Sequence, residues 1–140
     1  MSEVVMGLAW IYNKLTSNAP LMTNALGGVH RGSAPVGTAT PFISVAHQAG
    51  SDTTTINGVR VLTHILYLVK AVGPAKDIVA VDNVAGEFDD LLFLNTVVTV
   101  SGGYIHSSVR EQPIMYDETP AAGIKYTHIG GLYRLIIEKS

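Results

Sequence analysis

Apolar residues along this chain recur at two different periods, and the changes between them mark out its elements. Val4, Leu8, Ile11 and Leu15 fall at i, i+4, i+7 and i+11, with Asn13 and Lys14 off that line, so Glu3 to Thr16 is predicted to form an amphipathic helix. Trp10 and Tyr12 widen its apolar coverage. Ser17-Asn18 then offers an N-cap, Pro20 falls in a first turn, and Gly27-Gly28 supplies a left-handed stop, which predicts a short second helix over about Ala19 to Leu26. The Gly27 to Thr40 stretch is an irregular connector in which only Val29-His30-Arg31 can make a short strand.

The pattern then changes. Phe42 to Gln48 and Val61 to Val69 are rich in β-branched and aromatic residues, and the polar run Ser51 to Gly58 lies between them, so they read as a long β-hairpin with an extended loop. Gly73-Pro74 ends the second strand. Ile78, Val81, Ala85, Phe88 and Leu92 return at spacings of three and four, predicting a helix from about Ala75 to Leu94 whose acidic residues Asp77, Asp82, Glu87 and Asp89 turn to solvent. Gly86 inside it costs roughly 1 kcal/mol relative to Ala, which burial of Phe88, Leu91, Leu92 and Phe93 is expected to offset.

Thr96 to Val100 is an extended segment, Ser101-Gly102-Gly103 a turn, and Tyr104 to Tyr116 a strand interrupted near Pro113, which favours an edge. A second polar loop, Asp117 to Gly123, leads to the last strand, Ile124 to Ile137, where Gly130-Gly131 marks a bulge or a close backbone approach. The expected fold is a single α+β domain over residues 1–140. It has a mainly antiparallel sheet of about four to five strands, with two N-terminal helices and one long helix packed on one face.

Composition narrows the function. Only 14% of the 140 residues are charged and 47% are hydrophobic, against a usual charged share of about 25%. So thin a charge cover fits a surface that meets other proteins, and equally one covered by Thr, Ser, Asn and Gly. A net charge of -2 with scattered Lys and Arg argues against nucleic-acid binding through phosphates. The absence of cysteine removes disulfides, thiolate metal sites and thiol nucleophiles. The first fifteen residues lack a basic leader and read as a helix, and no apolar run reaches the roughly 18 residues of a membrane span.

Candidate chemistry is sparse. His30, His47, His64, His106 and His128 are dispersed, with His47 and His64 placed as neighbours across the hairpin, and no metal-ligand spacing emerges. Gly27 to Gly32 lacks the strand-loop-helix context and Lys-Ser/Thr ending of a phosphate loop. Asp89 and Asp90 point about 100° apart on a helix, so they cannot share a catalytic proton. No nucleophile elbow is present. The expectation is a protein with no catalytic residues, no metal and no cofactor. Tyr104, Arg110, Tyr116, Tyr126, Tyr133 and Arg134 are of the types enriched at protein interfaces and lie in the last two strands.

Three segments in order carry a resemblance: Val29-His30-Arg31-Gly32-Ser33-Ala34-Pro35 through Pro41-Phe42-Ile43, then Val109-Arg110-Glu111-Gln112-Pro113, then Tyr126-Thr127-His128-Ile129-Gly130-Gly131-Leu132-Tyr133-Arg134. Together with the succession of elements, they resemble the tail terminator, or tail completion, family of long-tailed bacteriophages over nearly the whole chain. That resemblance implies a structural protein that closes into a hexameric ring on the head-proximal end of the virion tail, after assembly in the host cytoplasm. Its partners would be further copies of itself, the tail tube protein and the head completion or connector protein. DNA would pass through the lumen without specific binding, and no membrane is involved. The candidate contact residues are Ser51, Asp52, Thr53, Thr54 and Thr55 in the first loop, Asp117 and Glu118 in the second, and Arg110, Tyr116, Tyr126, Tyr133 and Arg134 on the strands. Two alternatives remain at this point: another neck or connector component, and a small ligand-binding or enzymatic α+β domain with a pocket under the Gly27 to Thr40 connector.

Overall fold

Ser2 accepts a bond from the Val5 amide at 3.4 Å and opens α1, Glu3–Thr16, in the computed structural model, which describes residues 1–119 and 123–140. The helix buries Met6, Ile11 and Leu15, while Val4 and Leu8 pack at the margin. Its seating is set by Tyr67, whose hydroxyl donates to the Val4 carbonyl at 2.8 Å. Gly7 makes that approach possible, because a Cβ there would collide with the Tyr67 phenol. Asn18 caps α2, Ala19–Asn24, by accepting from the Leu21 amide at 2.9 Å.

The connector is more regular than its glycines imply. The Gly27 amide donates to the Pro41 carbonyl at 3.0 Å and the Ile43 amide to the Gly28 carbonyl at 2.9 Å. These bonds hold β1, Val29–Arg31, parallel to β2, Phe42–Thr54. β3, Arg60–Pro74, returns antiparallel to β2, and a single 3-10 turn, Ala75–Asp77, leads into α3, Ile78–Leu92. β4, Val98–Val100, β5, Gly103–Glu118, and β6, Tyr126–Lys139, complete the sheet.

The sheet has six strands in the order β1-β2-β3-β6-β5-β4 and curls into a half-barrel. This corrects the expected mainly antiparallel sheet of four to five strands. It is a mixed sheet, because β1 leaves the connector to pair parallel with β2, and β4 adds a short strand beyond β5. α3 packs on β3 and β6, α1 lies on β6 beside it, and α2 packs against α1 and α3.

Tyr67, Val69 and Ala71 of β3, Tyr133, Leu135 and Ile137 of β6, and Val81, Val84, Phe88 and Leu92 of α3 share that core. Each large side chain fully buried there contributes about 1.5–3 kcal/mol relative to exposure. Ile78 and Phe93, expected at the ends of the buried stripe, are instead exposed, because α3 is shorter at both ends than its pattern suggested.

β2 carries one extra residue between His47 and Ala49, and β5 carries one between Ile105 and Ser107 and another between Arg110 and Gln112. Gly130-Gly131 lies in unbroken register with β3 and marks a close approach, since a Cβ on Gly130 would strike the Val69 carbonyl. β5 also continues through Pro113 without interruption.

Candidate functional site

The two polar loops expected as contact arms both begin as strand. Ser51 to Thr54 continue β2, and the turn that joins it to β3 is only Thr55–Val59, closed by the Thr55 amide on the Val59 carbonyl at 2.8 Å. Asp52 accepts from the Thr63 hydroxyl at 2.8 Å, and Thr53 Oγ1 lies 3.2 Å from His64 Nε2. The outcome is a two-stranded arm whose residues 47–61 are all exposed and whose tip carries the apolar Ile56 and Val59. His47 and His64 do not pair across it: His47 lies opposite Tyr67, and His64 opposite Ser51.

Asp117 and Glu118 likewise belong to β5, paired with Thr127 and Tyr126. Residues 120–122 of the expected second loop lie outside the described residues. Tyr116 stacks on His128 with ring centroids 4.4 Å apart and planes 10° apart, and Lys70 Nζ donates to the Tyr116 hydroxyl at 2.6 Å. Glu118 Oε1 lies 2.7 Å from His128 Nε2, while His128 Nδ1 has no partner. Burial holds the His128 imidazole below its ordinary value, with the Glu118 carboxylate acting in the opposite direction. A cleft of about 450 Å³ opens beside this cluster, between Gly32, Ser33, Phe42, Lys70, Glu118 and His128.

On the helix side, Tyr133 is buried to 1% exposure, and only its hydroxyl reaches outward, donating to Asp89 at 2.7 Å. Arg110 Nε lies 3.8 Å from the same Asp89 carboxylate. Desolvation, and then the Asp89 carboxylate, push the Tyr133 phenol well above its usual range. On the opposite face, Arg134 makes a two-pronged ion pair with Glu111, and that hydrogen bond holds the Glu111 carboxyl below its usual range. Tyr126 stands half-buried at the start of β6.

The candidate residues therefore fall into three groups and do not converge on one point. The outer arm holds Ser51 to Thr55, the lower ends of β5 and β6 hold Tyr116, Asp117, Glu118 and Tyr126, and the middle of β5 and β6 holds Arg110, Tyr133 and Arg134. Lys70, Asp89 and His128 were missed as members of these groups. The pairing of Glu118 with Tyr126 fixes Tyr116 opposite His128, so a hairpin centred on the second loop was the signal that could have found it. Among the described residues, no group of three or more His, Asp or Glu side chains is placed to hold a metal ion.

No protein-family model matches the chain, and no curated protein matches it. Among solved structures, the chain is similar to one from a structure described as the virion of a native gene transfer agent (GTA) particle. The TM-score is 0.73, with 15% sequence identity and 91% of each chain covered. At that identity the likeness is one of fold.

Proposed function

We propose that this protein is a structural component of a phage-like particle, and within it a tail terminator. It closes as a ring, a hexamer when assembled, on the head-proximal end of the tail tube. There it stops tube growth and offers a surface to the head connector. The observation that carries the reading is the likeness of fold, over 91% of both chains, to a chain of a gene transfer agent virion. The sparse charge and the long, exposed β2–β3 arm are compatible with it, since ring contacts need extended surface that is cheap to desolvate. The protein acts by assembly, without making or breaking a covalent bond.

Native mass spectrometry with negative-stain imaging, across a concentration series and with tail tube protein added, tests this. Closed rings with a central hole, and tubes capped at one end and halted in length, are expected. Tubes that elongate unchanged in the presence of excess protein would overturn the terminator role. Capture of head connector protein without tube protein would move the assignment to a neck component.

The cleft beside His128 favours a second reading, a ligand-binding domain, because it lies against Gly32 and Ser33 of the connector and holds a buried, unpartnered ring nitrogen. A thermal-shift screen of small metabolites that raises the melting temperature of the wild type but not of Lys70→Ala would support it.

A further inference from the structure

The function proposed above requires copies to meet, and the present inference rests on it and names the surface. We propose that the His47 to Thr54 edge of β2 in one copy pairs antiparallel with the Arg110 to Asp117 edge of β5 in the next, so that neighbouring sheets merge. Among the described residues, both edges are free. β1 covers β2 only from Ile43 to Val45, and β4 covers β5 only from Gly103 to Ile105, with Leu94 bridging Ser108. Beyond those points, neither edge has a backbone partner among the described residues.

An uncovered edge of this length recruits another strand unless it is guarded by charge, proline or a bulge. From His47 to Thr54, the β2 edge carries one charged side chain, Asp52, and no proline. Each edge carries one bulged residue, Gln48 in β2 and Glu111 in β5, but only β5 adds a proline, Pro113. That proline disfavours β5 pairing with itself and leaves the more open β2 edge as its complement.

Direction agrees with this. β2, β3, β6 and β5 alternate in direction, each antiparallel to the next. A neighbouring β2 laid outside β5 with its helices on the same side continues the alternation. Side-chain facing agrees as well. If Gln48 and Glu111 remain bulged, His47 falls opposite Asp117, Ala49 opposite Tyr116, Gly50 opposite Met115, Ser51 opposite Ile114, Asp52 opposite Pro113, Thr53 opposite Gln112 and Thr54 opposite Arg110.

In each pair the two residues point to the same face, as opposed residues must. Asp52 is on the helix side, where it receives the Thr63 hydroxyl, and Arg110 is on that side too, facing Asp89 of α3. Polar groups are then matched: the His47 ring can hydrogen-bond to Asp117, and Asp52 sits diagonally to Arg110, within the reach of cross-strand pairs.

The offset between the two edges has a geometric meaning. Gly50 is level with Ile65 of β3, whereas Met115 is level, through Ile129, with Ala71. Joining the edges therefore shifts the neighbour by the six residues from Ile65 to Ala71 across four strands. With about 3.4 Å per residue and about 4.8 Å between strands, the shift is about 20 Å over about 19 Å, a strand tilt of about 45°. Closed β-barrels tilt their strands by roughly 35–45°, so the offset suits a sheet that closes on itself.

The chain has no cysteine, so introduced thiols report contacts cleanly. Ser51→Cys and Ile114→Cys, both at strand positions off the core, are mixed under mild oxidation with tube protein present, and native mass is measured in parallel. The mixture is expected to give roughly tenfold or more disulfide-linked dimer than either variant alone, because only Cα atoms within about 7 Å can be bridged. Amide exchange at residues 47–54 and 110–117 is expected to slow on assembly. Cross-linking of either variant with itself would overturn the heterologous pairing. Assembled rings without cross-link would overturn the edge contact and leave the ring reading intact. No assembly and no cross-link at the highest concentration the protein tolerates would overturn both.

Discussion

The two faces of the sheet are built differently from the same four long strands. On the covered face, Tyr67, Tyr133, Leu135 and Ile137 are at 0–1% exposure beneath α1 and α3. On the other face, Leu66, Leu68, Leu132 and Ile136 alternate with His64, Lys70 and Arg134 and stay half-exposed. The strands thus concentrate their burial on one side. Stability is drawn from the covered face, and the other face and the edges are left free to change or to bind without unfolding the domain.

Substitutions separate the two faces by size of effect. Phe88→Ala removes a fully buried ring between α3 and the edge-to-face Tyr133 and is expected to cost about 3–5 kcal/mol in urea unfolding. Gly130→Ala drives a methyl group into the Val69 carbonyl and is expected to cost about 1–3 kcal/mol by the same measurement, with loss of β3–β6 amide protection. Tyr133→Phe deletes only the bond to Asp89, which water can replace in part, so a loss of about 1 kcal/mol is expected.

A pH series gives a smaller effect on the open face. The unfolded chain protonates His128 near the ordinary histidine value of 6.5, while burial makes the folded chain resist the proton. Stability is therefore full above that pH and declines as pH falls from it towards the depressed folded value. His128→Gln is expected to flatten the decline in thermal melts. Arg134→Ala breaks only an exposed ion pair and is expected to leave the unfolding midpoint unmoved. A large loss there would break the contrast between the faces.

What the sequence revealed follows the same division. α1 and α3 were legible because their apolar spacing is fixed by a core, and the long hairpin because β-branched runs bracket it. β1 was legible only as a possible strand: three residues carry no period, and their pairing with β2 depends on backbone bonds made by Gly27 and Gly28. The Thr-rich stretch of β2 looked like a loop because an edge strand exposed on both faces has no hydrophobic alternation to show. The Tyr116–His128 stack and the Lys70 bond to Tyr116 depend on register across two hairpins, which composition does not encode. Tyr133 illustrates the limit for site residues: its residue type suits an interface, yet its ring is in the core and only its hydroxyl reaches Asp89.

The meeting of Gly7 with Tyr67 leaves a mark on descent. A side chain can appear at position 7 only if the phenol at position 67 withdraws or shrinks, and a smaller residue at 67 opens room that a larger one at 7 can fill. Related chains that keep this fold while losing sequence identity should therefore change these two positions together, and the pair becomes a tracer of common ancestry where overall similarity has faded.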